Sequence, residues 1–94
     1  MPVSPESVLA RNERLAWRVL AGEAVILFPE AGMLHRLNGT GTRVWELIDG
    51  QRTLADIGAG LMEEFDVSAD DAVADLQLLA DELITAGLVE VQAR

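Results

Sequence analysis

No cysteine occurs in the 94 residues, which excludes disulfides, a thiol nucleophile and thiolate metal sites. Lysine is absent too, so every cationic side chain is an arginine. His35 is the single histidine, whereas a metal centre normally asks for several His or Cys ligands; as a strand residue it reads as a packing or surface group. The pairs Asp70-Asp71 and Glu63-Glu64 lack the spacing of a calcium loop. Gly39-Thr40-Gly41 lacks the lysine of a phosphate loop, and no serine or threonine has a histidine placed to activate it. A non-enzyme without cofactor or metal is expected. Half of the residues are hydrophobic, yet no apolar run approaches the roughly 20 residues of a membrane span. The opening MPVSPESVLARNERL carries charges where a signal peptide needs a continuous apolar segment. A cytoplasmic protein, with no membrane partner, is the expectation. There is no internal repeat and no low-complexity segment.

Charge is unevenly distributed. Six of the seven arginines (Arg11, Arg14, Arg18, Arg36, Arg43, Arg52) precede Thr53, balanced there by six acids. From Thr53 onward ten acids face only Arg94, so the net charge of −9 sits in the C-terminal half. Nucleic-acid backbones are held by Lys and Arg; this half repels them, and no nucleic-acid partner is expected.

At 94 residues the chain makes one domain, with little room for a buried catalytic cavity. Residues 1–12 hold two prolines, two serines and little periodicity, and read as a flexible N-terminal arm, frayed unless something pairs with it. A single domain is expected over 13–92. Leu15 to Leu20 alternates in strand fashion, and Ala21-Gly22-Glu23 is a short hairpin link. Ala24 to Phe28 (AVILF) is an apolar run too short for a helix of its own, and Pro29 to Gly32 makes the next turn. Met33 to Leu37 forms a third strand, completing a small antiparallel meander. Asn38 is the expected N-cap of a first helix, with Thr40 and Thr42 as alternatives. Asp49-Gly50 breaks that helix, Thr53 with Asp56 has capping-box spacing, and Ser68 with Asp71 repeats it. A second helix carries the stripe Leu54, Ile57, Leu61, Phe65 and ends at Asp66-Val67. A third runs from about Ala69 to Ala86, stopped by Gly87. Leu88 to Val91 reads as a short extended tail or wing strand. The fold class is α+β: a three-stranded antiparallel N-terminal sheet packed on three helices, winged helix-turn-helix-like. Trp17 and Trp45 read as core residues.

At about 100° per residue, Ala72, Val73, Leu76, Leu79, Ala80, Leu83 and Ile84 form a complete core face on the third helix. Leu78 falls on the far side with Ala74, among Asp71, Asp75, Asp81 and Glu82. Either Leu78 is an ordinary surface leucine, or it floors a groove between this helix and the edge of the third strand. An exposed strand edge is a template for another chain, and an extended peptide could add there. Met33, His35 and Leu37 would share one face of that strand, Leu34 and Arg36 the other. Leu78 and Ala74 would receive an apolar anchor, and the acids would favour a guest with basic groups.

The run LNGTGTRVWELIDGQRTLADI (Leu37–Ile57), followed by LMEEFDVS, AVADLQLLADEL and GLVEV, resembles the PqqD family of peptide-recognition elements. The most specific part is Leu37-Asn38, Gly41, Trp45-Glu46-Leu47, Asp49-Gly50, Thr53 and Ile57, together with Gly87-Leu88-Val89. The resemblance spans roughly Val25 to Val91. It implies a non-catalytic chaperone that binds the leader of a ribosomally made precursor peptide as an added strand. It further implies delivery to a radical SAM or other peptide-modifying enzyme, as in pyrroloquinoline quinone (PQQ) biosynthesis or a related peptide pathway. Carried over, the peptide-binding residues are Met33, Leu34, His35, Arg36 and Leu37 with Asp71, Ala74, Asp75 and Leu78. Asn38, Trp45, Asp49 and Gly50 are then structural. The alternative is a winged-helix module that uses the same edge to dock on a protein or to form a homodimer, without binding DNA.

Overall fold

The computed structural model describes residues 3–30, 32–65 and 68–92, with Ala69 and Val73 described by backbone alone. The elements run β1 (Leu9–Arg11), β2 (Ala16–Leu20), β3 (Glu23–Phe28), β4 (Met33–Arg36), α1 (Gly39–Leu47), α2 (Leu54–Glu64), α3 (Ala69–Thr85) and β5 (Val89–Val91). The expected α+β class, with three helices and an antiparallel meander β2-β3-β4, is found, but the strands divide into two sheets. The second sheet pairs β1 with β5, antiparallel, so the strand after the last helix does not join the meander.

The meander's faces follow from its register. Trp17, Ile26 and His35 lie in one row, and Arg18, Val25 and Arg36 in the next. Ala24 and Ile26 are fully buried, so their side of the sheet faces the core and the alternate residues face outward. Leu20 and Glu23 close the β2–β3 hairpin through Ala21 and Gly22, both at positive φ (53° and 80°). That is the paired left-handed geometry a two-residue hairpin loop needs, and glycine takes its half without steric cost.

Thr42 joins the sheet to the helices. Its buried hydroxyl accepts from the Ala24 N–H at 2.7 Å and donates to the Leu37 carbonyl at 3.2 Å. The Leu37 N–H meanwhile bonds the Ala24 carbonyl at 2.9 Å. A side-chain hydroxyl thus stands in for the second main-chain bond of this last residue pair, where the chain leaves β4 for α1. Asn38 is the N-cap of α1, accepting from the Gly41 N–H at 2.8 Å. Thr40 and Thr42, the alternatives, are helical residues.

A flexible arm over residues 1–12, separate from the domain, does not describe the structure from residue 3 onward. Val3, Val8 and Leu9 are buried, and residues 9–11 pair with β5. The same segment supplies acceptors to the exposed start of α2. Leu54 N–H bonds the Ser7 carbonyl at 2.9 Å and Ala55 N–H the Pro5 carbonyl at 2.8 Å. Thr53 and Asp56 cap each other reciprocally at 3.1 and 3.2 Å. Together these satisfy the first-turn donors that a helix leaves unpaired.

The α3 helix ends in a paired arrangement: Leu88 N–H bonds the Leu83 carbonyl and Gly87 N–H the Ile84 carbonyl, both at 3.0 Å. Gly87 sits at φ +79°, the left-handed position that this helix stop requires. The expected α2 terminus at Asp66-Val67, and Val73 on the α3 core face, lie outside the described residues and side chains. Trp45 is fully buried at the centre of the core. Trp17 is not a core residue: it is 39% exposed, set edge-on against Trp45 at 5.8 Å, with the Arg11 guanidinium 4.9 Å above it. Its strand lies at the edge of the sheet, so only one side of the indole finds neighbours.

Asp49 shapes the α1–α2 turn by accepting from the Arg52 and Gln51 N–H groups, both at 2.9 Å. Those two main-chain bonds, with the Arg52 charge beside them, hold its carboxyl below the usual 3.8. A lowered folded-state pKa stabilises the fold above the unfolded value and loses that contribution as pH falls through the folded one. Asp49→Ala should therefore melt below the parent at neutral pH, and the gap should close as pH drops below 3.8. Paired thermal melts from pH 7 to pH 2 check this; a gap independent of pH contradicts it.

Candidate functional site

Strand β4 has β3 on one side and, among the described residues, no strand on the other. The N-terminal strand does not cover this rim, because it pairs with β5. Antiparallel ladders alternate between residues whose main-chain groups face the partner and residues whose groups face away. The Leu37 N–H bonds Ala24. By that alternation Met33 and His35 also face β3, and the N–H and C=O groups of Leu34 and Arg36 point to the open rim.

Beside the rim lies a groove of about 540 Å³. One wall is the end of β4 and the start of α1, from Arg36 and Leu37 to Gly41. The other wall is α3, through Asp75, Leu78, Leu79 and Glu82, and the floor is Val44, Leu61, Phe65 and Leu76. Val44, Leu61 and Leu76 are core residues seen from the groove; Phe65 and Leu79 are half-buried against the same core. The floor is therefore apolar, while the acids Asp75 and Glu82 also line the groove. Gly41, in the wall, has little room for a side chain: a Cβ there would press on the Asn38 cap oxygen at 3.2 Å. Arg43 braces the floor, gripping Glu64 at 2.7 Å just before Phe65.

Of the anticipated site residues, the structure brings Arg36, Leu37, Asp75 and Leu78 together on this groove. Leu78 is 62% exposed, so it stands outside the core stripe as the helical wheel placed it. Met33, Leu34 and His35 lie further along β4, outside the groove lining. His35 sits opposite Ile26, half-buried on the inner face. The side chain of Leu34 points to the outer face, so its main chain is what reaches the rim. Asp71 and Ala74 are exposed on α3 without lining the groove. Sequence reasoning missed the floor, because Val44, Leu61, Phe65 and Leu76 carry the same periodic signature as any core residue. Only the position of Leu61 and Phe65 at the C-terminal end of their stripe set them apart.

Comparison with known proteins gives a consistent result. The family model described as Coenzyme PQQ synthesis protein D (PqqD) matches residues 23–89. A PqqA binding protein of Klebsiella pneumoniae (strain 342) is 39% identical over 71 residues, covering 72% of this chain and 75% of that protein. A PqqA binding protein of Rhizobium meliloti (strain 1021) is 29% identical over 83 residues, covering 88% and 83%. Among solved structures, TbiB1 in complex with the TbiA(beta) leader peptide superposes with a TM-score of 0.81 at 21% identity, over 90% of this chain and 99% of that one. Lasso peptide synthetase B1, complexed with its leader peptide, gives 0.79 at 21% identity, over 87% and 96%. At that identity the two structures establish the fold.

Proposed function

The chain belongs to the PqqD family, and from that premise we propose that it is a non-catalytic carrier of a precursor peptide. It binds the leader as a strand added along β4 and presents the peptide to a modifying enzyme. The observation that carries this reading is the unpaired rim of Leu34 and Arg36 beside an apolar groove. Main-chain bonds to the rim hold any extended segment, and alternate side chains of the guest dip into the groove. Val44, Leu61, Phe65 and Leu76 take an apolar anchor, with Leu78 and Leu79 closing over it. Asp75 and Glu82 favour a guest with basic character; salt should weaken binding accordingly.

The relatives, PqqA binding proteins, and the leader complexes of the structural neighbours support the peptide as ligand. Family membership supports a radical SAM or other peptide-modifying enzyme as recipient, in PQQ or related peptide biosynthesis. The helix order followed by β5 supports a winged-helix-like description of the scaffold, turned here to a peptide. The ten acids after Thr53 argue against nucleic acid.

Titrating the chain with precursor peptides tests this. A full precursor and its isolated leader should bind alike, the leaderless remainder should not, and the peptide mass should stay unchanged. Leu78→Arg should weaken leader binding by about 1–3 kcal/mol through loss of the apolar contact, with an unchanged melting curve. Chemical conversion of the peptide by this chain alone, or binding through the leaderless part, would overturn the proposal.

A further inference from the structure

The outer face of the β2-β3-β4 sheet carries a patch that shares only Arg36 with the groove lining. Register sets Leu27 beside Leu34, and Arg18 beside Val25 and Arg36, all on the side away from buried Ile26. Leu20, Leu27 and Leu34 are all exposed there, Leu34 by 60%. Leucines scattered singly over a surface are ordinary, but several on one small sheet face mark an interaction surface. The cations among them are barely engaged. Arg18 has no carboxylate within ion-pair distance among the described residues, and Arg36 reaches only Glu23, at 3.9 Å. Arg14, Arg43 and Arg52, elsewhere on the molecule, hold Glu30, Glu64 and Asp49 at 3.3, 2.7 and 3.1 Å.

From this juxtaposition of exposed leucines and under-partnered arginines, we infer that the outer sheet face is the docking surface for the peptide-modifying protein. The patch on that protein is apolar and rimmed with carboxylates. The identity of the partner rests on the carrier role proposed above; the chemistry of the surface does not. Carboxylates meeting Arg18 and Arg36 speed encounter and set orientation, while the leucines supply the buried area. An anionic bilayer fits less well. Its charge extends well beyond the patch and meets the acids of this chain of net charge −9, within a screening length of about 8–10 Å. A second copy fits less well too, since it brings arginines to arginines with only Glu23 between them. A strand added along β4 would also turn its alternate side chains outward beside Leu34. Carrier and cargo then offer the enzyme one continuous surface.

The test uses the whole chain, a leader-bearing precursor peptide and the enzyme that modifies it. The variants are Arg18→Glu and Leu20→Glu, both exposed on β2 and across the sheet from the rim. Each should lower affinity for the enzyme by about tenfold or more, while leader affinity stays within about twofold of the parent's. In the parent, amide protection at Leu27 should rise on adding the enzyme, a readout that needs no variant. Unchanged enzyme affinity in both variants, or protection confined to α3, overturns the docking surface and leaves the carrier reading intact. Failure of the parent to bind the leader overturns the carrier reading instead. Cosedimentation with phosphatidylglycerol vesicles, or concentration-dependent self-association, if abolished by Arg18→Glu, gives the face to a bilayer or a second copy and likewise overturns the inference.

Discussion

A chain that begins at Glu13 is expected not to fold. Removing residues 1–12 takes out buried Val3, Val8 and Leu9, and each such burial is worth about 1.5–3 kcal/mol. Against a total stability of about 5–15 kcal/mol for a domain, that loss alone is decisive. Hydrogen-bond acceptors go as well. Leu54 and Ala55 at the start of α2, Gly50 in the preceding turn and Gln92 after β5 all donate to carbonyls of this segment, at 2.8–3.1 Å. Strand β5 loses the only strand it pairs with among the described residues. Circular dichroism and amide dispersion of the shortened chain should show an unfolded or molten species. Cooperative melting near the parent's temperature would contradict the assignment of this segment to the core.

Thr42→Val is expected to cost about 2–4 kcal/mol, lowering the melting temperature by roughly 10–25 °C. Valine keeps the shape and discards the hydroxyl, leaving the buried Ala24 N–H without an acceptor and the Leu37 carbonyl without its donor. An unsatisfied buried group costs about 1–3 kcal/mol. Thr42→Ser keeps the relay and should recover most of the loss, which separates the hydrogen bonds from the methyl packing. Because the relay fixes the end of β4 against β3, the valine variant should also bind the leader more weakly at temperatures where it is still folded. A valine variant as stable as the serine one would mean that water substitutes for the hydroxyl.

The contrast between the N-terminal segment and Thr42 on one side and the rest of the chain on the other shows what a sequence can disclose. Asn38, Thr53 with Asp56, Ser68 and Gly87 were legible because capping is local: the side chain and the group it satisfies lie within a few residues. The meander was legible because short links leave consecutive strands little choice of partner. Leu78 was legible because a helix has one period, and a residue off its apolar stripe has to face elsewhere. Nothing local announces that residues 9–11 will find 89–91, and the segment's low periodicity read as an arm. Thr42 looked like a spare N-cap, although its partners are Leu37, five residues back, and Ala24, eighteen residues back. The groove floor was hidden for a different reason: Leu61 and Leu76 serve the core and the groove at once, and hydrophobic periodicity does not distinguish the two roles.

Strand addition along β4 has an alternating signature that amide hydrogen exchange reads directly. When the leader peptide is added, the N–H groups of Leu34 and Arg36 should slow markedly. Those of Met33 and His35, which face β3, should change little. Uniform slowing along the strand, slowing confined to β2, or no change at Leu34 and Arg36 while the peptide is bound would contradict the account.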